Sequence, residues 1–398
     1  MSDEPGRGGD RPAPEEAAAA LERVKERLAA EADSLAPWFF AAMPAYYFRS
    51  HSAEEQARHL HALISGQVLS EGQRLAVKSP CGGKVTYLSP GRGDDELVEV
   101  LASLRGREIL NARIYESLDR KLRLDTFVLA PQSPLDAAGE GFRLALDQMR
   151  RAGTLPPGAQ PAFAAFLAGA TGDCVEKFEP ERGLRHFALW EELAASADRE
   201  RVLVRLDSEA YPGLSRVVVA LASPARRGLL LEMVRILRRE RVHIARAYAD
   251  VYAGEAGSMA VCSFYATREG RPLAPGDRAW RRLAAELALV NQVAGHDLER
   301  LADEDGWGLR QVAFIQAATE FAHQFLLRRD IYAYTAHHMV SAVLANRDAA
   351  RAALDLFEAR FNPALGSREA VAGACRERLL RLVDGLGDEV ARHTFACM

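Results

Sequence analysis

One pattern of elements occurs twice in this chain, and that repetition constrains the fold more than any other feature. Arg74–Lys78 and Lys84–Leu88 read as two short strands around the turn Pro80-Cys81-Gly82-Gly83. A helix follows over Asp94–Leu104, then strands over Ile109–Glu116 and Leu122–Leu129, then a helix over Pro134–Ala152. The same order returns as strands Arg201–Leu206 and Arg216–Ala222, a helix Gly228–Glu240, strands His243–Tyr252 and Ser258–Ala266, and a helix Asp277–Gln292. Short strings align in matched places. Ser89-Pro90-Gly91-Arg92-Gly93 corresponds to Ser223-Pro224-Ala225-Arg226-Arg227-Gly228, and Ala112-Arg113-Ile114-Tyr115 to Ala245-Arg246-Ala247-Tyr248. A duplicated ββαββα unit places the chain in the α+β class.

The rest of the chain frames these units. Residues 1–14 read as a disordered tail, and 15–70 as an N-terminal helical and aromatic segment with a helix from about Pro14 to Ser34. Ser52 with Glu55 forms a capping-box signal for a helix carrying His59, Leu60 and Leu63. The first unit spans 71–152, a linker with helices near Phe163–Glu176 and Pro180–Ala194 spans 153–198, and the second unit spans 199–300. From 301 to 398 everything reads helical: Phe314, Ala317, Phe321 and Phe325 recur at helical spacing. Thr335 and Ser367 are candidate caps, the latter for a last long helix reaching Val390.

Composition narrows the function classes. With 48% hydrophobic and 27% charged residues and a net charge of −4, the chain has a globular profile and no basic groove for nucleic acid. The five cysteines are scattered without CxxC spacing, which fits a reducing cytoplasm. No run approaches the roughly 18 apolar residues of a membrane span. The expectation is a cytoplasmic protein with no nucleic-acid or membrane partner.

Candidate chemistry is sparse. Gly91-Arg92-Gly93 opens a helix but is followed by Asp94 and Asp95, which would cap that helix themselves and repel a phosphate. Gly83-Lys84 leads into a strand and makes no P-loop. His59 and His61 are two apart on a helix and diverge, and His337-His338 lacks a carboxylate at a metal-site offset, so no metal site is expected. No nucleophile elbow or activated Cys or Ser is recognisable, so no catalytic residue is named. The equivalent turn of the second unit differs. Ser223, Ala225, Arg226, Arg227, Gly228 and Leu229 enter a helix with no acid until Glu232, so free amides and two arginines favour a small carboxylate or phosphate effector. The alternative is an ordinary exposed turn. Trp38, Phe39, Phe40, Tyr46, Tyr47 and Phe48 form an aromatic run that reads either as an anchor folded into a core or as a docking interface.

Several strings, in order, resemble the N-terminal non-catalytic region of the large NAD-specific glutamate dehydrogenases. They are Met43-Pro44-Ala45-Tyr46-Tyr47-Phe48, Arg58-His59-Leu60, Val175-Glu176-Lys177-Phe178-Glu179-Pro180, Arg185-His186-Phe187 with Trp190, Pro224 through Leu230, and Leu356-Phe357-Glu358-Ala359-Arg360-Phe361-Asn362-Pro363. The resemblance implies two tandem ACT-like units, modules that bind amino acids or mediate oligomerisation, ahead of a catalytic dehydrogenase domain that carries NAD. No GxGxxG occurs here and lysine is scarce after Lys177, so no cofactor is expected in this chain. The implied role is regulation or assembly of a glutamate dehydrogenase. The implied partners are a catalytic domain or subunit, a small-molecule effector and further copies of the chain. A purely structural oligomerisation module and a stand-alone amino-acid-binding regulator are the rival readings. The chain ends near where the family's catalytic region would begin.

Overall fold

The computed structural model describes residues 35–130, parts of 162–170, and 180–398 without 199–200, 223–227, 255–256, 294–295 and 363–367; positions 66–67, 72–73, 80–82 and 92 are likewise left out. The chain divides between Asn291 and Gln292 into two compact units.

The first unit is built on strands β1 (Leu75–Lys78), β2 (Lys84–Pro90), β3 (Ile109–Glu116), β4 (Leu122–Leu129), β5 (Val202–Tyr211), β6 (Leu214–Ala222), β7 (Val242–Gly254) and β8 (Gly257–Arg268). They make one eight-stranded sheet in the order β1-β2-β4-β3-β7-β8-β6-β5, with every neighbouring pair antiparallel. Each half of the sheet repeats one connectivity. Two strands form a hairpin, a helix crosses over, and the last strand inserts between the second and third. The helices are α4 (Asp94–Ser103) in the first half and α6 (Leu229–Arg239) in the second.

The halves meet at β3 and β7. Arg113 lies opposite Tyr248, Ile114 opposite Ala247, and Tyr115 opposite Arg246. Since Arg113 and Tyr115 correspond to Arg246 and Tyr248 in the sequence repeat, the ladder has an approximate two-fold axis at the Ile114–Ala247 pair. The two repeats, expected as successive units, therefore share one sheet. Pairing β3 with β7 removes two exposed edges that separate domains would leave.

Alternation along the strands gives the sheet two faces. Helices α4 and α6 pack against each other, and α6 also contacts β7 and α7 (Arg278–Leu287). The amphipathic pattern of α6 explains this packing, since Leu230, Met233, Ile236 and Leu237 are buried on one stripe. The opposite face of the first half is covered by α1 (Ala36–Ala42), α2 (Ala45–Ser50) and α3 (Ala53–Ser65). Phe39, Met43, Tyr47, Leu60 and Leu63 join Leu88, Tyr115, Leu122 and Leu124 in one core. Ser52 and Glu55 form the expected reciprocal cap of α3: each backbone N–H donates to the other's side chain, at 2.9 and 3.2 Å. On the second half the same face carries α5 (Pro180–Ala194), whose Phe187 and Leu193 pack with Phe163, Phe166, Leu203, Tyr252 and Val261. The helices expected over Pro14–Ser34 and Pro134–Ala152, and most of that over Phe163–Glu176, lie outside the described residues.

The second unit contains helices α8 (Arg300–Asp305), α9 (Leu309–Leu326), α10 (Ala336–Ala345), α11 (Arg347–Phe361), α12 (Arg368–Asp384) and α13 (Glu389–Cys397). Thr335 caps α10 by accepting from the His338 N–H. The helical spacing of Phe314, Ala317, Phe321 and Phe325 falls in α9, whose buried stripe runs through Leu309, Val312, Ile315, Thr319, Ala322 and Leu326 and leaves Phe321 and Phe325 more than half exposed. One expectation is corrected. The expected last helix is two, because the Gly385–Gly387 turn breaks it and Asp388 caps the second. Ser367 lies outside the described residues. Among the described residues no helix is long and apolar enough to cross a membrane.

Candidate functional site

The strand registers define equivalent positions in the two halves, and their chemistry diverges on the face opposite α4 and α6. In the first half one row across the sheet reads Leu75, Leu88, Leu124, Tyr115; its counterpart reads Arg205, Val218, Ser263, Tyr248. The next row reads Val77, Thr86, Thr126, Arg113 against Asp207, Arg216, Tyr265, Arg246. Leucines, a valine and a threonine at Leu75, Leu88, Val77 and Thr86 in one copy are replaced by Arg205, Val218, Asp207 and Arg216 in the other.

The first platform is sealed by the aromatic helices. Over the second lies a cavity of about 580 Å³. Its sheet wall presents Arg205, Arg216 and Arg246; its helix wall presents Arg49 from α2 with Arg182 and Arg185 from α5. Six arginines thus face two carboxylates, Glu192 and Asp207. Both carboxylates are engaged: Arg205 donates to both Glu192 oxygens at 2.6 and 2.8 Å, and Arg216 donates to Asp207 at 2.6 Å. Apart from His186 and Ser263, the remaining lining is aromatic or apolar, with Tyr46, Tyr211, Tyr248 and Tyr265 beside Leu189 and Val218.

Several of these groups are locked in place. The Arg246 guanidinium lies 4.1 Å from the Tyr265 ring centre and 4.6 Å from that of Tyr211, so it is oriented by cation–π contact. Arg182 pairs with buried Asp250 and donates to the Tyr46 hydroxyl at 3.2 Å. Asp250 also accepts from Arg113, at 2.9 Å. His186 is buried and hydrogen-bonded to Tyr252 at 2.7 Å; burial, with Arg182 and other arginines near, pushes its pKa well below the usual imidazole range, so it stays neutral. Burial likewise raises the Tyr248 phenol, keeping it protonated as a donor. Its hydroxyl is buried with no hydrogen-bond partner among the described residues. The arrangement is a preorganised cradle for negative charge beside flat apolar surface.

A second polar cluster sits at the seam of the halves, on the opposite face. His243 of β7 lies 2.9 Å from Glu116 and 3.4 Å from Asp94, both of the first half. Those hydrogen bonds raise its pKa to about 9. Arg123, fully buried, donates to Asp94 at 3.0 Å and to the Ile244 carbonyl at 3.1 Å. Burial alone would raise the Asp94 carboxyl, but His243 and Arg123 hold it below its ordinary value. Burial lifts Asp125 to about 7 despite the nearby Arg123. This corrects the expectation that Asp94 and Asp95 cap their own helix: the N-cap of α4 is Gly93, with no side-chain cap. Asp94 instead reaches across the seam, and Asp95 pairs with Arg238 of α6.

Of the expected effector residues, Ser223, Ala225, Arg226 and Arg227 lie outside the described residues. Gly228 takes φ +91° at the start of α6 and Leu229 is buried; neither lines the cavity. In the aromatic run, Phe39, Phe40, Tyr46 and Tyr47 are buried and Trp38 and Phe48 partly so, all packed within this chain. Tyr46 alone of these lines the cavity. Only Arg182 and Arg185 of the cavity arginines are close in sequence, three apart on α5; the others come from separate elements and form no local motif. The usable signal was the repeat itself, since aligning the copies exposes Arg205, Asp207 and Arg216 where Leu75, Val77 and Thr86 stand. Among the described residues no group of three His, Cys, Asp or Glu side chains is placed to hold a metal. No known family model and no curated protein matches the chain.

Proposed function

We propose that the chain is a ligand-sensing regulatory region whose two ββαββ halves are ACT-like modules, acting in the cytoplasm on a large NAD-dependent glutamate dehydrogenase. The parent reaction is oxidative deamination of L-glutamate to 2-oxoglutarate, with NAD held by the catalytic partner. The observation that carries the sensing role is the arginine-lined cavity over the second half. The ordered strings that resemble the non-catalytic region of those enzymes support the choice of partner. The effector site moves accordingly, from the turn that opens α6 to the opposite face of the sheet.

A small anion in this cavity would bridge cations on α2 and α5 to cations on β5, β6 and β7. Such a bridge regulates only if it favours one arrangement of helices over sheet. The test adds the full chain to the catalytic portion of a large NAD-specific glutamate dehydrogenase and follows glutamate-dependent NAD reduction. A rate change of twofold or more that is lost with Arg246→Met supports the role. No association and no change in rate would sink the link to that enzyme.

A further inference from the structure

Resting on the cavity as an effector site, we infer that its ligand is a nucleoside polyphosphate rather than a small carboxylate. Charge is the first argument. The arginines stand on two walls, three borne by helices and three by the sheet, against the lining carboxylates Glu192 and Asp207 and the buried Asp250 that holds Arg182, so positive charge remains in excess. A ligand with one carboxylate neutralises one wall. A chain of phosphates carries several charges and many acceptor oxygens, and guanidinium forks match phosphate oxygens in pairs.

Size and polarity are the second argument. About 580 Å³ holds roughly twenty water-sized units at ~30 Å³ each. An amino acid would fill only a minor part of that space. The uncharged part of the lining, with Tyr46 and Tyr248 beside Leu189 and Val218, offers flat rings and aliphatic surface suited to a base and a sugar.

Calorimetry of the full chain with four probes tests the assignment: adenosine triphosphate, inorganic tripolyphosphate, adenosine, and 2-oxoglutarate. Adenosine triphosphate is expected to bind at least tenfold more tightly than each of the others. Arg216→Gln and Arg49→Gln should each weaken it by tenfold or more, with thermal melting unchanged. Tripolyphosphate binding as tightly as the nucleotide would overturn the inference and leave a plain polyanion site. Tighter binding of 2-oxoglutarate would overturn it while sparing the effector-site reading. No binding of any probe would remove both. Guanosine triphosphate serves as a second base, and tight binding of it counts as support.

Discussion

The two halves of the sheet share connectivity, register and an approximate two-fold axis, yet one face of them has gone two ways. Over the first half, Leu75, Leu88 and Leu124 meet the aromatic helices and the space is filled. Over the second, Arg205, Val218 and Ser263 stand at the equivalent positions, with Arg216 in the next row, and a cavity remains. Duplication thus separates two tasks: hydrophobic burial stabilises one copy, and the other keeps charges that a closed core would not tolerate.

The largest effect should come from exchanging residues between the rows. Thr86 is buried and shares a 2.9 Å hydrogen bond with Thr126; its counterpart is Arg216. Thr86→Arg buries an unpaired charge and should cost at least about 3 kcal/mol in denaturant unfolding. The reverse change, Arg216→Thr, should cost under about 1 kcal/mol while abolishing anion binding. Equal losses in the two variants would mean that the halves are not divided in this way.

The seam between halves should titrate. His243 has a folded pKa of about 9, raised above its unfolded value chiefly by hydrogen bonds to Asp94 and Glu116. Its contribution is therefore fully present below about pH 6.5 and is lost as pH rises through 9, a change of no more than about 3 kcal/mol given its partial exposure. Asp94 has a lowered pKa, so its share is lost on acidification instead. Asp125 runs the other way: its contribution is fully present below about pH 4 and is lost as pH rises through about 7. His243→Gln should flatten the unfolding free energy between pH 7 and 9.5; an unchanged slope would place the titration elsewhere.

The two related arginines should also part company. Arg113 donates to Asp250 and to the Ala112 carbonyl in a buried site, so Arg113→Met weakens the hold on a buried carboxylate and should cost about 2–3 kcal/mol. Arg246 stacks against the Tyr211 and Tyr265 rings in the cavity, and Arg246→Met should cost about 1 kcal/mol. Similar costs would show that the two-fold relation extends to energetics.

Much of this architecture was legible in the residue pattern. Period-two alternation placed β3 and β4 at their observed bounds, and turn residues placed α4 and α6, because these are local effects. The matched strings around Arg113 and Arg246 announced the duplication. What no local pattern carries is which strand edges meet. The β3–β7 pairing joins residues more than 100 positions apart, as Asn111 and Asp250 show. The cavity depends on that pairing and on α5 arriving from the linker. The role of Asp94 was misread for the same reason, since its partner His243 sits in the other copy.

The smallest expected effect concerns the turns that open the two crossover helices, where the copies agree in residue and differ in backbone. Gly93 has φ +123° and ψ −169°, a region essentially closed to side chains; Gly228 has φ +91° and ψ −4°, nearer the left-handed well. A Cβ at Gly93 would meet nothing within 4 Å, and one at Gly228 only the Arg105 side chain at 3.6 Å, an ordinary contact. Any penalty for alanine is therefore backbone strain, not a clash. Gly93→Ala should cost about 2 kcal/mol and Gly228→Ala about 1 kcal/mol. Asparagine, which tolerates the left-handed well, should recover part of the loss at Gly228 but none at Gly93. Recovery at both positions would mean that the first turn relaxes into the geometry of the second, and that the copies differ less at their helix entries than in the platforms beneath them.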